Sequence, residues 1–337
     1  MFHPIRTLLS IVALVSVSST VPAREEQPER GTPVTRDLSG VEILVAPFDA
    51  TVNRTVTQAE TAAKSAQQGW ADHLKRPVVE KNSIGMELVL LPPGKFLMGS
   101  TPQQIEQVLK ADSFFQQEWG DREQPRHVVT LTRPLYVGKT EVTQGEWSAV
   151  MGTTPWKGNA YVREGANYPA TLVSWDDAQA FCRKLSEKEE KKYRLLTEAE
   201  WEYACRAGTN TKCHFGDDAD LLWDYAWFHE NAWDIDEKFA HLVGQKRPNS
   251  FGLYDMLGNV SEWCQDRHDG KYYANSPAED PPGPTDGSGR VVRVLRGGSW
   301  SGRSVVVRSA TRSHTAPVYR YDFVGFRLSA VPSGQDE

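Results

Sequence analysis

Three times between residues 143 and 208 the chain sets a hydroxyl residue three positions before an acid, with a tryptophan close behind. The pairs are Thr143 with Glu146, Ser174 with Asp177, and Thr197 with Glu200. In each, the hydroxyl takes an orphan amide at a helix N-terminus and the carboxylate reaches back to the cap, so three helix starts are fixed locally. Behind the caps, Trp147, Val150 and Met151 form one inward face, Trp175, Ala178, Cys182 and Leu185 a second, and Trp201, Ala204 and Cys205 a third. Gly152 and Gly208 end the first and third helices, where a left-handed backbone is needed.

Around these helices the chain is punctuated rather than periodic. It carries 26 Gly and 20 Pro with 11 Trp, which predicts a turn-rich fold with a large aromatic core and excludes a helical bundle. The apolar runs of GMELVLLPPGKFLMGS, broken at Pro92-Pro93-Gly94, predict a strand hairpin. A second strand pair is expected in HVVTLTRPLYVGKTEV, with Val128, Leu131, Leu135 and Val137 facing inward, and short strands in RVVRVLRGGSW and FVGFRLSA. With 337 residues there is core enough for one large or two ordinary domains.

The two ends read differently. Residues 1–23 have a basic start at Arg6, the apolar run LLSIVALVSV and a small-residue site at Val21-Pro22-Ala23, as expected of a secretory signal. The mature chain is then an exported periplasmic or extracellular protein, with no membrane insertion once the signal is removed. Residues 24–56 read as a linker, charged and turn-rich at the start. Residues 57–81 read as a flanking helix, with Ala59, Ala63, Ala66, Trp70 and Leu74 on one stripe. The main domain is expected over 82–330, followed by a tail over 331–337.

A net charge of −6 disfavours nucleic acid as a partner. Eight arginines lie between Arg290 and Arg327, spaced singly among Val, Ser and Gly, and are expected to make strand-edge ion pairs. The cysteines are Cys182, Cys205, Cys213 and Cys264, for which three pairings are open. No CxxC, HExxH or close His pair gives a zinc signature.

The ordered strings GKTEVTQGEW, YPATLVSWDDAQAFCRKL, RLLTEAEWEYACRAG, NSFGLYDMLGNVSEW, LRGGSW and VGFRL resemble the formylglycine-generating enzyme, or sulfatase-modifying factor, family. The resemblance implies an α+β fold of the C-type-lectin-like kind with little regular secondary structure. It implies, in active members, oxidation of a sulfatase cysteine to formylglycine by oxygen and a copper ion held by two thiolates just after the Gly-Gly-Ser turn. Two sulfur donors suit Cu(I). Here the stretch from Arg296 to Ser313 has no cysteine, and the last one in the chain is Cys264. The family's usual Trp in GNxxEW is Ser261, the usual RLPTEAEWE has Leu196, and Ser309 and Leu328 stand where partners for structural cysteines are expected.

No copper and no catalytic residue is therefore predicted. The resemblance implies a structural calcium site from Asp255 and Glu262 with the carbonyls of Gly258 and Val260. A second site would use Asn231 and the carbonyl of Ala232, with the acid left open among Asp234, Asp236 and Glu237. Ser261, Ser299, Trp300 and Arg303 are expected near a ligand cleft for a peptide, a glycan or an exported protein such as a sulfatase. The competing expectations are an oxidative tailoring enzyme and a formylglycine-generating oxidase with a non-cysteine site.

Overall fold

A computed structural model describes residues 46–285 and 291–332, together with a short antiparallel pair, β1 (Val34–Arg36) and β2 (Glu42–Leu44). The expected signal over 1–23 and most of the tail over 331–337 lie outside the described residues. Strands occupy part of the segment expected to be linker: β3 (Phe48–Asp49) pairs parallel with β6 (Gly94–Met98), and Phe48 is buried.

Helix α1 (Val56–Leu74) follows, capped by a box at Thr55 and Gln58. Then come β4 (Val79–Lys81), β5 (Glu87–Leu91), β6, α2 (Pro102–Ala111), α3 (Gln117–Asp121), β7 (His127–Leu131) and β8 (Leu135–Gly138). The three foreseen boxes start α4 (Gln144–Met151), α5 (Trp175–Glu189) and α6 (Glu198–Arg206), with β9 (Tyr193–Leu195) before the last. At Ser174 the two reciprocal bonds measure 3.1 and 2.9 Å. Gly152 is the left-handed cap of α4, whereas the left-handed cap of α6 is Ala207, one residue before Gly208. Beyond α7 (Leu222–Tyr225) the chain is mostly loop, carrying β10 (Ser261–Arg267), β11 (Arg293–Arg296), β12 (Ser313–Thr315), β13 (Val324–Gly325) and β14 (Leu328–Ala330).

The expected hairpin is not one. β5 pairs antiparallel with β8, while β6 pairs antiparallel with β7, so each apolar run is divided between two sheets. A two-residue hairpin loop needs positive φ, which the proline ring forbids. Pro92-Pro93 instead bends the chain from one sheet to the other, its carbonyls taking the Tyr203 hydroxyl at 3.0 Å and the Phe48 amide at 2.8 Å. In β7 the inward residues are Val129 and Leu131, and Val128 is exposed.

The sheet β4-β5-β8-β14-β9 separates two cores. Val89, Leu91, Leu135 and Val137 face the one that holds Trp201 and Tyr203 of α6. Leu88, Leu90 and Tyr136 face the other, covered by Trp147 of α4 and Phe181 of α5. After Glu87 the run LVLL of β5 is apolar at every position because both faces of its strand are buried. The four-stranded sheet, β12-β11-β10-β13, comes from the later part of the chain and frames the site.

Candidate functional site

β11 ends at Arg296 and the chain turns through Gly297 and Gly298, both at positive φ, with a Cβ on Gly298 only 3.0 Å from the Val307 side chain. That turn opens a cavity of about 360 Å³. Ser299 follows it, buried, with its Oγ 3.1 Å from the Ser301 Oγ. Ser261, at the start of β10, lines the same cavity, where the smaller side chain leaves room that a Trp would fill. Phe114, Phe115 and Trp119, from the loop before α3 and from α3 itself, form an aromatic wall.

Of the four expected cleft residues, Ser261 and Ser299 line the cavity. Arg303 stands at its rim, its guanidinium 5.0 Å from the Phe114 ring centre and 3.6 Å from Asp112. Trp300 does not reach it: the indole is buried among Ala232, Ala240 and Val260 and stacks on Trp233 at 5.7 Å. The spacing missed Arg122, Thr311 and His314, which also line the cavity.

The arginines beyond Arg290 mostly sit inside the molecule rather than at strand edges. Arg296 meets Glu202 and Arg312 meets Glu198 at 2.7 and 2.8 Å, both acids coming from α6. Arg308 holds Glu123 at 2.7 and 3.0 Å. Taking a guanidinium out of water is strongly unfavourable unless a carboxylate meets it, so α6 and these arginines bury together.

No thiol lines the cavity. All four cysteines are buried and unbridged. Burial pushes the thiols of Cys182, Cys205 and Cys213 up to about 12, and that of Cys264 well above its usual value. Cys205 Sγ lies 3.6 Å from Ser309 Oγ, and Cys182 shares a core with Leu328, so both expected partner positions are occupied by residues that cannot bridge.

A second cluster lies beneath the turn Asp255–Val260. Asp255 and Asn259 are both at positive φ, and a Cβ on Gly258 would sit 2.2 Å from the Trp227 carbonyl. Asp255 Oδ2 accepts the Gly244 amide at 2.6 Å, while Oδ1 is buried without a partner. Glu141, which the spacing did not single out, brings Oε1 to Asn259 at 3.1 Å and leaves Oε2 buried without a partner. Burial raises both carboxyls above their ordinary range; each also raises through a neighbouring acid, Asp255 for Glu141 and Glu262 for Asp255.

Glu262 is disposed differently from the expectation. Its two oxygens accept four bonds, from Arg327 at 2.9, 2.8 and 2.7 Å and from Trp201 Nε1 at 2.8 Å. A carboxylate offers about four lone-pair directions, so none is left for an ion. Nor is a second site assembled: Asn231 caps locally, accepting from Phe228 at 2.8 Å and donating to Ala226 at 2.9 Å beside buried Ala232. Asp234 turns to His229, Asp236 to Lys238 and Glu237 to His241. Among the described residues no group of three or more His, Cys, Asp or Glu side chains is arranged to hold a metal.

Residues 75–330, three quarters of the chain, match the family model described as a sulfatase-modifying factor enzyme 1-like domain. The chain belongs to the sulfatase-modifying factor family. Its similarity extends to the formylglycine-generating enzyme of Streptomyces coelicolor, 31% identical over 298 residues, covering 72% of this chain and 88% of the relative. It extends also to the chaperone protein LppX of Paenibacillus barcinonensis, 30% identical, covering 51% of this chain and 71% of that one. Among solved structures, PvdO from Pseudomonas aeruginosa aligns at a TM-score of 0.63 and 27% identity, over 76% of this chain and 99% of that one. Treponema denticola variable protein 1 aligns at 0.63 and 30%, over 75% and 99%. The α+β, C-type-lectin-like fold of the sulfatase-modifying factor family is thus the fold of this chain.

Proposed function

We propose that this member of the family is an exported, calcium-stabilised binding module and not an oxidase that works through copper thiolates. One observation carries the reading. The cavity beside Gly297-Gly298-Ser299 is walled by hydroxyls, guanidinium groups, a histidine and aromatic rings, and the thiols all lie elsewhere in the core. Hydroxyl oxygens are hard donors and do not replace sulfur for Cu(I). The residues present do not fit copper.

They fit calcium better, by a donor set other than the expected one. Glu141, Asp255 and Glu262 face the single guanidinium of Arg327. Two carboxyl oxygens there have no partner outside the Glu141–Asp255 pair, and a hard divalent cation would satisfy both in place of the proton the pair holds. Asp255 and Glu141 would hold it with the carbonyls of Gly258 and Val260, and Glu262 stays with Arg327. The ion would supply rigidity to the turn and no chemistry.

The ligand of such a module would be a peptide, a glycan or an exported protein such as a sulfatase. LppX, a relative of similar identity, is named a chaperone, which supports a binding role on this scaffold. The test is oxygen uptake by the mature chain with Cu(I) and a peptide carrying the sulfatase Cys-x-Pro-x-Arg motif. No uptake above the copper blank is expected, and turnover to an aldehyde would overturn the reading.

A further inference from the structure

The walls of the cavity are unequal in charge. Arg122, Arg296 and Arg312 line it against one carboxylate, Glu123, which is closed off by Arg308 at 2.7 Å and by the Ser100 hydroxyl at 2.6 Å. The acids that balance the other guanidiniums, Glu118, Glu198 and Glu202, are not among the lining residues. The partner of Arg122 is Glu118, whose side chain is 73% exposed, so water screens that pair and an incoming anion can displace it.

Hydrogen-bonding capacity is also left over. Arg296 Nε, Thr311 Oγ1 and His314 Nδ1 are buried without a partner, and all three residues line the cavity. Arg296 is only 1% exposed, so bulk water does not solvate it. Unsatisfied buried polar atoms are rare in native proteins and mark the place of a water or a ligand. His314 stacks on His268 at 4.1 Å, and burial, then Arg122 and Arg312, hold it below its ordinary pKa. A neutral histidine pressed by two guanidiniums reports a positive potential at that wall.

The remaining wall is apolar. Phe114 is 46% exposed and stacks edge-on against Trp119 at 5.3 Å, which leaves a flat aromatic surface open at the mouth. A site of a few hundred Å³ with unpartnered polar atoms in its lining residues and an aromatic side suits a small organic ligand or a single side chain.

We propose that the cavity takes an organic anion, a carboxylate, sulfate ester or phosphate ester whose head meets Arg122, Thr311 and His314 and whose flat body lies along Phe114 and Trp119. The proposal rests on the reading of this cavity as a ligand site without a copper centre, and adds the charge and shape of what enters. A polyanion is not implied, because the three residues line a single cavity of about 360 Å³ rather than a stripe.

Calorimetric titration of the mature chain tests it, with phenyl phosphate as the probe, inorganic phosphate as the head alone, and benzyl alcohol as the neutral body. Phenyl phosphate is expected to bind one to one and to weaken as salt rises, inorganic phosphate to bind less tightly, and benzyl alcohol not to saturate. Arg122→Gln, at a partly exposed position, and Thr311→Val are each expected to weaken phenyl phosphate on the order of tenfold. Equal binding of benzyl alcohol, no binding of any probe, or unchanged affinity in both variants would overturn the proposal. Those outcomes leave the copper question untouched, since oxygen uptake answers it separately.

Discussion

Glu141 and Asp255 face each other in the interior, where a side-chain hydrogen bond between them needs a proton on one carboxyl. Burial, and then the neighbouring acids, lifts both above ordinary carboxylate values. The folded chain therefore keeps protons that the unfolded chain releases. Their contribution to stability is complete below about pH 4, where both states are protonated, and is lost as pH rises through the raised values. With chelator present, the melting temperature of this chain is expected to carry a component that falls from about pH 4 through about 6, the value to which Asp255 is raised. Calcium is expected to remove it, adding about 2.7 kcal/mol at a hundredfold excess over its Kd. Asp255→Asn should flatten the pH profile in chelator and abolish the calcium response; thermal melts across pH with and without calcium check both. A calcium response undiminished in Asp255→Asn would place the ion elsewhere. Asp255 was legible because the turn DMLGNVSE announces itself, whereas Glu141 sits just before a helix cap with nothing local to mark it as buried. That Glu262 belongs to Arg327 was not legible either, since the two lie 65 residues apart in the chain and no local pattern links them.

At the scale of elements, what is encoded locally was readable and what depends on partners was not. A capping box states its helix within four residues, and all three foreseen boxes start helices. Two more, at Thr55 and Thr101, are closed by glutamine rather than by an acid. Strand pairing is settled by partners distant in the chain, so the runs on either side of Pro92-Pro93 read locally as one hairpin although they belong to two separate sheets. Gly94 is where the exchange is made. A Cβ there would stand 2.3 Å from the Phe48 carbonyl and 2.7 Å from the Tyr203 hydroxyl, and the first of these is backbone that cannot swing away. Gly94→Ala is expected to destabilise the fold by roughly 2 kcal/mol or more through forced separation of β3 and β6. Gly152→Ala, at positive φ but with open space around it, should cost only about 1 kcal/mol. Chemical denaturation of the two variants measures the contrast, and equal losses would mean that the close approach at β3 is tolerated.

Across the whole molecule, α1 is placed as a clasp rather than an appendage. Its Ala63 belongs to the core with Trp201, and its Trp70 and Ala71 to the core with Trp147, on the opposite face of the five-stranded sheet. Gln67, between them, donates to the carbonyls of Leu90 and Phe251, both at 3.0 Å, tying one helix to strand and loop together. A helix that only flanked a finished domain would melt by itself and leave the aromatic cores as they were. One that closes two cores should carry them with it. Trp70, only 1% exposed, is the largest side chain α1 inserts, and Trp70→Ala is expected to remove about 3–5 kcal/mol. The loss should appear in a single transition, with far-ultraviolet and near-ultraviolet circular dichroism falling together at a lower temperature. An early helical loss, followed by an aromatic transition at the unaltered temperature, would show instead that the sheet and its two cores stand without α1.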